Sequence, residues 1–318
     1  MTIKKTLLTI TAFLISFCIA EFITGYVIGY PKSNTLSKIY CGSDSVSWSA
    51  VLYKPFSEYW SVEGGNQVHR KNNLGLSGLN VDTSKLLIYL IGNSYVEARE
   101  INPGKIASTI FQQKLKSNCD SLDVINIGYG LESPYDSFIH LGYYEQFKKP
   151  ETVILLFTGP KDEWLTKHKK AFVHSTDSLN YKSKKAFSFK FKMFFRNNSS
   201  VLNLLQNWFD ELRLEESPQL KYEAVQNGEF TNEFKEVLRI YKSKYADKFM
   251  LVSIASLTQI NQDIKKFCTE ENISFYYDDI NKPENKIKGI GHLTEEGNLK
   301  LGSLIYNSYV NHKGLINK

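Results

Sequence analysis

With 318 residues, 42% of them hydrophobic, the chain can bury a substantial core as one large domain with insertions, or as a domain plus a small lobe. The net charge of +6 permits an anionic surface or polymer as a neighbour without requiring one. Cys18, Cys41, Cys119 and Cys268 show neither CxxC nor CxxH spacing, which argues against a cysteine-held metal, and nothing in the sequence asks for a cofactor.

Lys4 and Lys5 precede an uncharged run, Leu7 to Ala20; Glu21 interrupts it, and Phe22 to Tyr30 resumes the apolar character. Two readings fit residues 1–30. Leu7 to Tyr30 is long enough for a membrane helix of about 20 residues, with the two lysines holding its start in the cytoplasm. Alternatively, Leu7 to Ala20 is a signal-peptide core and cleavage leaves Glu21 as the new N-terminus. Within a retained span Glu21 costs a few kcal/mol at mid-bilayer and less near an interface. Phe17 stands before Cys18 where a lipoprotein signal needs a small residue, which argues against lipidation. Both readings put the main domain outside the cytoplasm, membrane-anchored or secreted, at a periplasmic or cell-surface site where nucleic acid is disfavoured as a partner.

Residues 31–84 form a lead-in, with Tyr40 to Asn80 irregular or weakly β and Gly64-Gly65 a turn. Residues 85–318 carry the α/β pattern. Leu86 to Ile91 is an unbroken apolar run suited to a strand buried on both faces. Helix Ile106 to Lys116, strand Leu122 to Ile127, helix Ser133 to Phe147 and strand Thr152 to Phe157 follow. Later come strands Lys248 to Ile254 and Ile273 to Tyr277 around helix Thr258 to Glu270, and a closing helix, Thr294 to Asn311. This alternation predicts right-handed βαβ units, hence a three-layer α/β/α sandwich on a five-stranded parallel sheet.

Between the third and fourth strands lies an insertion, Lys161 to Ala246. Its first half interleaves lysines with Phe187, Phe189 and Phe191; a solvated basic face over a small satellite core is the plain reading, a contact with lipid headgroups or acidic glycan the other. Residues 200–246 read as helical, with Leu202, Leu204, Leu205, Trp208 and Phe209 as a core stripe.

A strand that ends in a small-residue turn sets the next hydroxyl at the carboxyl edge of the sheet, where open α/β folds bind ligands. Ser94, after Gly92-Asn93, is therefore a candidate nucleophile, although the same residues make ordinary turns. His292 precedes the closing helix and can meet Ser94 across the top of a parallel sheet. It would supply the base that a serine hydroxyl needs.

From Asn73 to Val310 this order of blocks resembles the SGNH (GDSL-like) hydrolase family, in which a G-D-S turn comes first and a histidine before a polar helix start comes last. The resemblance implies Ser94 as nucleophile, His292 as base, and Asn93 in place of the aspartate. Asn126-Ile127-Gly128-Tyr129-Gly130 resembles the second block one residue short, implying Gly130 as oxyanion donor. Gly159-Pro160-Lys161-Asp162 resembles the third, with Lys161 in place of the asparagine that would be a second donor. Asn73 to Gly78 resembles a segment of membrane-anchored members, with Ser77 where arginine is usual. The family's acid precedes the histidine by two or three residues; here Gly289 and Ile290 stand there. Asp278 and Asp279 are then candidate surrogates, a Ser94–His292 dyad being the alternative. The implied activity is that of an esterase or O-acyl transferase on an acylated carbohydrate or small ester. The competing expectation is an inactive domain of this fold that binds a glycan or an envelope partner. Protein partners are not legible.

Overall fold

A computed structural model describes residues 3–28, 35–40, 50–53, 55–61, 67–130, 133–145, 147–159, 198–205, 208, 230–256, 258–287 and 291–315. Helix α1 (Ile3–Phe22) runs on through a π-helical turn to Val27. Lys4–Val27 is the candidate membrane span among the described residues, with a mean hydropathy of 2.1. Of the two expectations for the lead-in, irregular or weakly β, the structure has the second in two short antiparallel ribbons: β1 (Thr35–Tyr40) with β2 (Ala50–Tyr53), and β3 (Glu58–Ser61) with β4 (Gln67–Arg70).

The main domain follows the predicted alternation. Its elements are β5 (Leu86–Gly92), α2 (Ser94–Glu97), α3 (Ala107–Lys116), β6 (Leu122–Gly128), α4 (Pro134–Tyr144), β7 (Thr152–Phe157), α5 (Asn232–Tyr245), β8 (Phe249–Ser253), α6 (Thr258–Glu270), β9 (Ser274–Tyr277) and α7 (Glu295–His312). The five strands lie in the order β6-β5-β7-β8-β9, all parallel. Full burial of β6, β7 and β8 explains their largely apolar character, since helices cover both faces; in β6 only Asp123 and Asn126 interrupt it. Leu87, Tyr89 and Ile91 of β5 face the layer that contains Leu141, Phe234, Tyr241 and Ile264 of α4, α5 and α6. Ile88 and Leu90 face Phe111 of α3 with Leu301 and Ile305 of α7.

Two sequence assignments shift. Helix α5 falls within the predicted insertion, yet Phe234, Val237, Leu238 and Tyr241 are buried in the main core, so α5 is part of the sandwich between β7 and β8. The stripe read as core does not behave as one: Leu205 and Trp208 are exposed, Leu202 and Leu204 half-buried. Phe209 and the Phe187, Phe189, Phe191 run lie outside the described residues.

Candidate active site

Strand β5 ends at Gly92, in register with Gly128 at the end of β6. Asn93 then caps α2: its Oδ1 accepts from the Tyr95 amide (2.9 Å), and its Nδ2 donates to Thr158 Oγ1 (2.9 Å), just beyond β7. The amide group thus makes a donor bond that an ionised aspartate could not, and Ser94 opens the helix. Helix α2 lies directly on β6. A Cβ at Gly128 would sit 2.1 Å from Glu97 N and 2.5 Å from Val96 C, so no larger residue fits beneath the turn that carries Ser94. Asn126 Nδ2 secures the same turn by donating to Val96 O and Ser108 Oγ, both at 2.9 Å.

His292 arrives from the other side. Lys286 and Leu293 form a short antiparallel bridge, and Ile287 N donates to His292 O (2.7 Å). Gly291, at φ +83°, makes the bend before the histidine, a backbone region that favours glycine. The single Tyr95 Oη proton is shared between Gly291 O (2.8 Å) and Asn281 Oδ1 (3.0 Å), and the ring meets the His292 ring edge-on at 5.7 Å. The outcome is His292 Nε2 at 3.0 Å from Ser94 Oγ, across 198 residues of sequence.

The acid facing the imidazole is one that sequence reasoning missed. His292 Nδ1 pairs with Glu100 Oε1, and the Glu100 side chain is only 2% exposed. Asp278 is exposed at the end of β9, and Asp279 pairs with Lys282 at 3.1 Å; neither is brought to the histidine. The physical cause is local. Helix α2 lasts one turn and ends at Ala98 in the left-handed region (φ +46°), reversing the chain. Ile101 N then donates to Ala98 O (3.1 Å), and this turn folds the Glu100 side chain back towards Ser94's end of the sheet. A carboxylate opposite Nδ1 selects the tautomer protonated there, leaving Nε2 to accept the serine proton.

The expected oxyanion donors fare differently. Gly130 N–H donates to Glu97 Oε2 at 2.9 Å, so that amide is committed to a fully buried carboxylate. Lys161, Gly289 and Ile290 lie outside the described residues. Glu97 also pairs with Lys71 (Nζ–Oε1 3.1 Å), an ammonium in a residue just 2% exposed that sits 4.4 Å from the Tyr53 ring centre and 4.8 Å from that of Tyr59. Lys71 Nζ donates as well to Ser77 Oγ (3.1 Å), so a cation reaches the position-77 locus from six residues upstream. Burial holds the Lys71 ammonium below its usual pKa, partly offset by Glu97. His69, buried close by, is likewise lowered, first by desolvation and then by Lys71, against the opposing charge of Glu100. No cluster of three or more metal-ligating side chains occurs among the described residues.

No protein-family model matches the chain, and no curated protein is similar to it. Among solved structures it is similar to a lipase/acylhydrolase from Enterococcus faecalis, at 15% identity over 72% of this chain and 96% of that one, with a TM-score of 0.41. It is similar to a family 3 carbohydrate esterase from Clostridium thermocellum at 12% identity, covering 73% of this chain and 98% of that one, with a TM-score of 0.41. A member of the lipolytic G-D-S-L family from Veillonella parvula matches at 10% identity over 71% and 97%, with a TM-score of 0.36. At such values the matches carry no argument about this chain's chemistry, which is read from its side chains.

Proposed function

We propose that the chain is a serine esterase or O-acyl transferase that works through Ser94, His292 and Glu100. The observation that carries this reading is the single line of contacts from Ser94 Oγ to His292 Nε2 (3.0 Å) and from His292 Nδ1 to the Glu100 carboxylate. Ser94 Oγ attacks the ester carbonyl as its proton passes to Nε2. Glu100 stabilises the imidazolium without taking the proton. The Ser94 amide, which makes no hydrogen bond within the described residues, is the oxyanion donor we assign. Collapse of the tetrahedral intermediate expels the alcohol, which leaves with the proton from Nε2. The acyl-serine is then attacked by water, or by a second hydroxyl in a transferase, with His292 again as base.

The finer reading is that the ester is a carbohydrate ester met outside the cytoplasm. The apolar helix behind Lys4 and Lys5 supports the location, and the family resemblance of the sequence blocks supports the substrate class. A second reading, a glycan-binding domain without turnover, is favoured by one observation: the Gly130 amide expected at an oxyanion is held by Glu97. A fluorophosphonate probe on the detergent-solubilised full chain separates the two. The esterase reading expects labelling that vanishes in Ser94→Ala and falls sharply in His292→Ala. A folded wild-type chain that takes no label sinks it and leaves the binding module.

A further inference from the structure

A carboxylate in an apolar membrane-type helix is costly unless something satisfies it, and such residues face a partner rather than lipid. Glu21 lies in the last turn of α1, and its carboxylate is satisfied from far along the chain. Ser199 Oγ donates to Glu21 Oε2 (2.7 Å), Ser200 N to Oε1 (2.8 Å) and Val201 N to Oε2 (3.2 Å). Ser199 Oγ accepts from Leu202 N (3.0 Å), so it caps the helical residues 200–205 while donating to Glu21. One turn further along α1, a Cβ on Gly25 would lie 3.3 Å from Ser200 Oγ; glycine permits the close approach.

The polarity of this second segment is inverted relative to a water-soluble helix. Ser199, Ser200 and Asn203, small or polar, are buried. Leu205 is 43% exposed and Trp208 51%. Val201 and Leu205, four apart within the helical residues 200–205, share the face opposite to Asn203. Small and polar residues inside with apolar ones outside is the arrangement of helices packed within lipid, where hydrogen bonds and close backbone approach join the helices. Depth agrees. Seventeen residues separate Lys4 from Glu21, about 26 Å at 1.5 Å per residue, against a hydrocarbon core of about 30 Å. Glu21 therefore lies near the far boundary of the bilayer, where tryptophan is favoured.

We propose that residues 199–205, with Trp208, form a second membrane-contacting element, seated on α1 through Glu21 and presenting Leu205 and Trp208 to the lipid of the outer interface. This rests on the reading of α1 as a retained anchor. It makes that anchor a two-part base for the domain instead of a flexible leash.

The test uses the full native chain in phosphatidylcholine/phosphatidylglycerol vesicles containing a diazirine-bearing phosphatidylcholine, with lipid adducts mapped by mass spectrometry. Adducts are expected both on α1 and on the peptide spanning 199–208. In Glu21→Leu the 199–208 adducts should fall several-fold while those on α1 persist. In a second measurement Trp48, Trp60 and Trp164 are changed to Phe so that Trp208 reports alone; brominated lipid should quench it far more than aqueous acrylamide. Adducts on α1 with none on 199–208, or Trp208 open to acrylamide, overturn the proposal and leave the anchor standing. Trp208 shielded from both quenchers means that protein covers it, which also overturns the proposal. Release of the chain by alkaline carbonate overturns the anchor reading itself, and the proposal with it.

Discussion

Replacing Glu100 by glutamine removes a charge from beside the imidazole while keeping the side chain's size. Two limits bracket the cost. If the amide oxygen stays opposite Nδ1, only the charge is lost: for an imidazolium and a carboxylate about 4 Å apart at an effective dielectric of 20, that is about 4 kcal/mol, or roughly a thousandfold in rate. If the amide NH2 turns to Nδ1, the wrong tautomer is favoured, and the loss approaches the roughly 10⁴ seen when a serine protease's acid becomes an amide. Glu100→Gln is thus expected to lower kcat for 4-nitrophenyl acetate by about 10³–10⁴ with KM little changed, because Glu100 does not touch substrate. The fluorophosphonate labelling rate should fall in parallel. Glu100→Asp keeps the charge on a shorter stem and should recover part of the loss. The comparison that decides is Asp278→Asn with Asp279→Asn, which should stay within about threefold of wild type, since neither carboxylate faces His292. Activity in Glu100→Gln within fivefold of wild type, or a larger loss in the Asp278/Asp279 double variant, would refute Glu100 as the orienting acid.

Gly128→Ala must push α2 off β6, because its methyl would overlap the Glu97 backbone; stability and Ser94 labelling should both fall, and a variant that labels at the wild-type rate disproves the close packing. Lys71→Met leaves buried Glu97 with only the half-exposed Arg99, at 3.8 Å, as a counter-charge and should cost about 3 kcal/mol in urea unfolding, a change below 1 kcal/mol counting against the pair. For His69 the folded pKa lies below the unfolded value near 6.5, so between those two the unfolded chain binds the extra proton and stability drops as pH falls. The contribution is at most about 1.4 kcal/mol per pH unit, and His69→Gln should remove it. Urea midpoints at pH 7.5 and 5.5 that shift equally in both proteins would show that His69 does not titrate on unfolding.

The sheet was readable because its central strands β5, β7 and β8 are buried on both faces and so read as short, mostly apolar runs, whereas β6 is apolar apart from Asp123 and Asn126 and the edge strand β9 is only half-buried. Ser94 and His292 were readable because turn chemistry after a first strand and a polar helix start before a last helix mark the same edge. Glu100 was not, for a backbone reason: the reversal that delivers it runs through Ala98 in the left-handed region, and alanine does not advertise that conformation as glycine would. The signal available was two acids within six residues of the nucleophile, Glu97 and Glu100. Burial alone does not separate them; their partners do, Lys71 and the Gly130 amide for one, the imidazole for the other. Lys71 was hidden in the same way, since a buried ammonium six residues ahead of Ser77 has no periodic signature.

Placing the orienting acid on the nucleophile's own segment changes what the rest of the fold must do. With Ser94 and Glu100 both fixed by α2 and the turn behind it, only the imidazole has to be brought from elsewhere. The contacts around it are those of a docked hairpin: Tyr95 Oη on Gly291 O, the Ile287–His292 backbone bond, and Thr294 N donating to Asn285 O (2.8 Å) as α7 begins. Ile287 adds an apolar foot, packing against Ala98, Ile101 and Ile106, the residues that flank Glu100. The turn that presents the acid is therefore also the surface on which the histidine hairpin rests. Disturbing one displaces the other, whereas in an arrangement with acid and base on one loop that loop could shift as a unit and keep them paired. Here the acid–base distance is set by tertiary packing across the sheet edge, so substitutions at Ile101 or Ile106 should act on the chemistry through His292 even though neither side chain touches it.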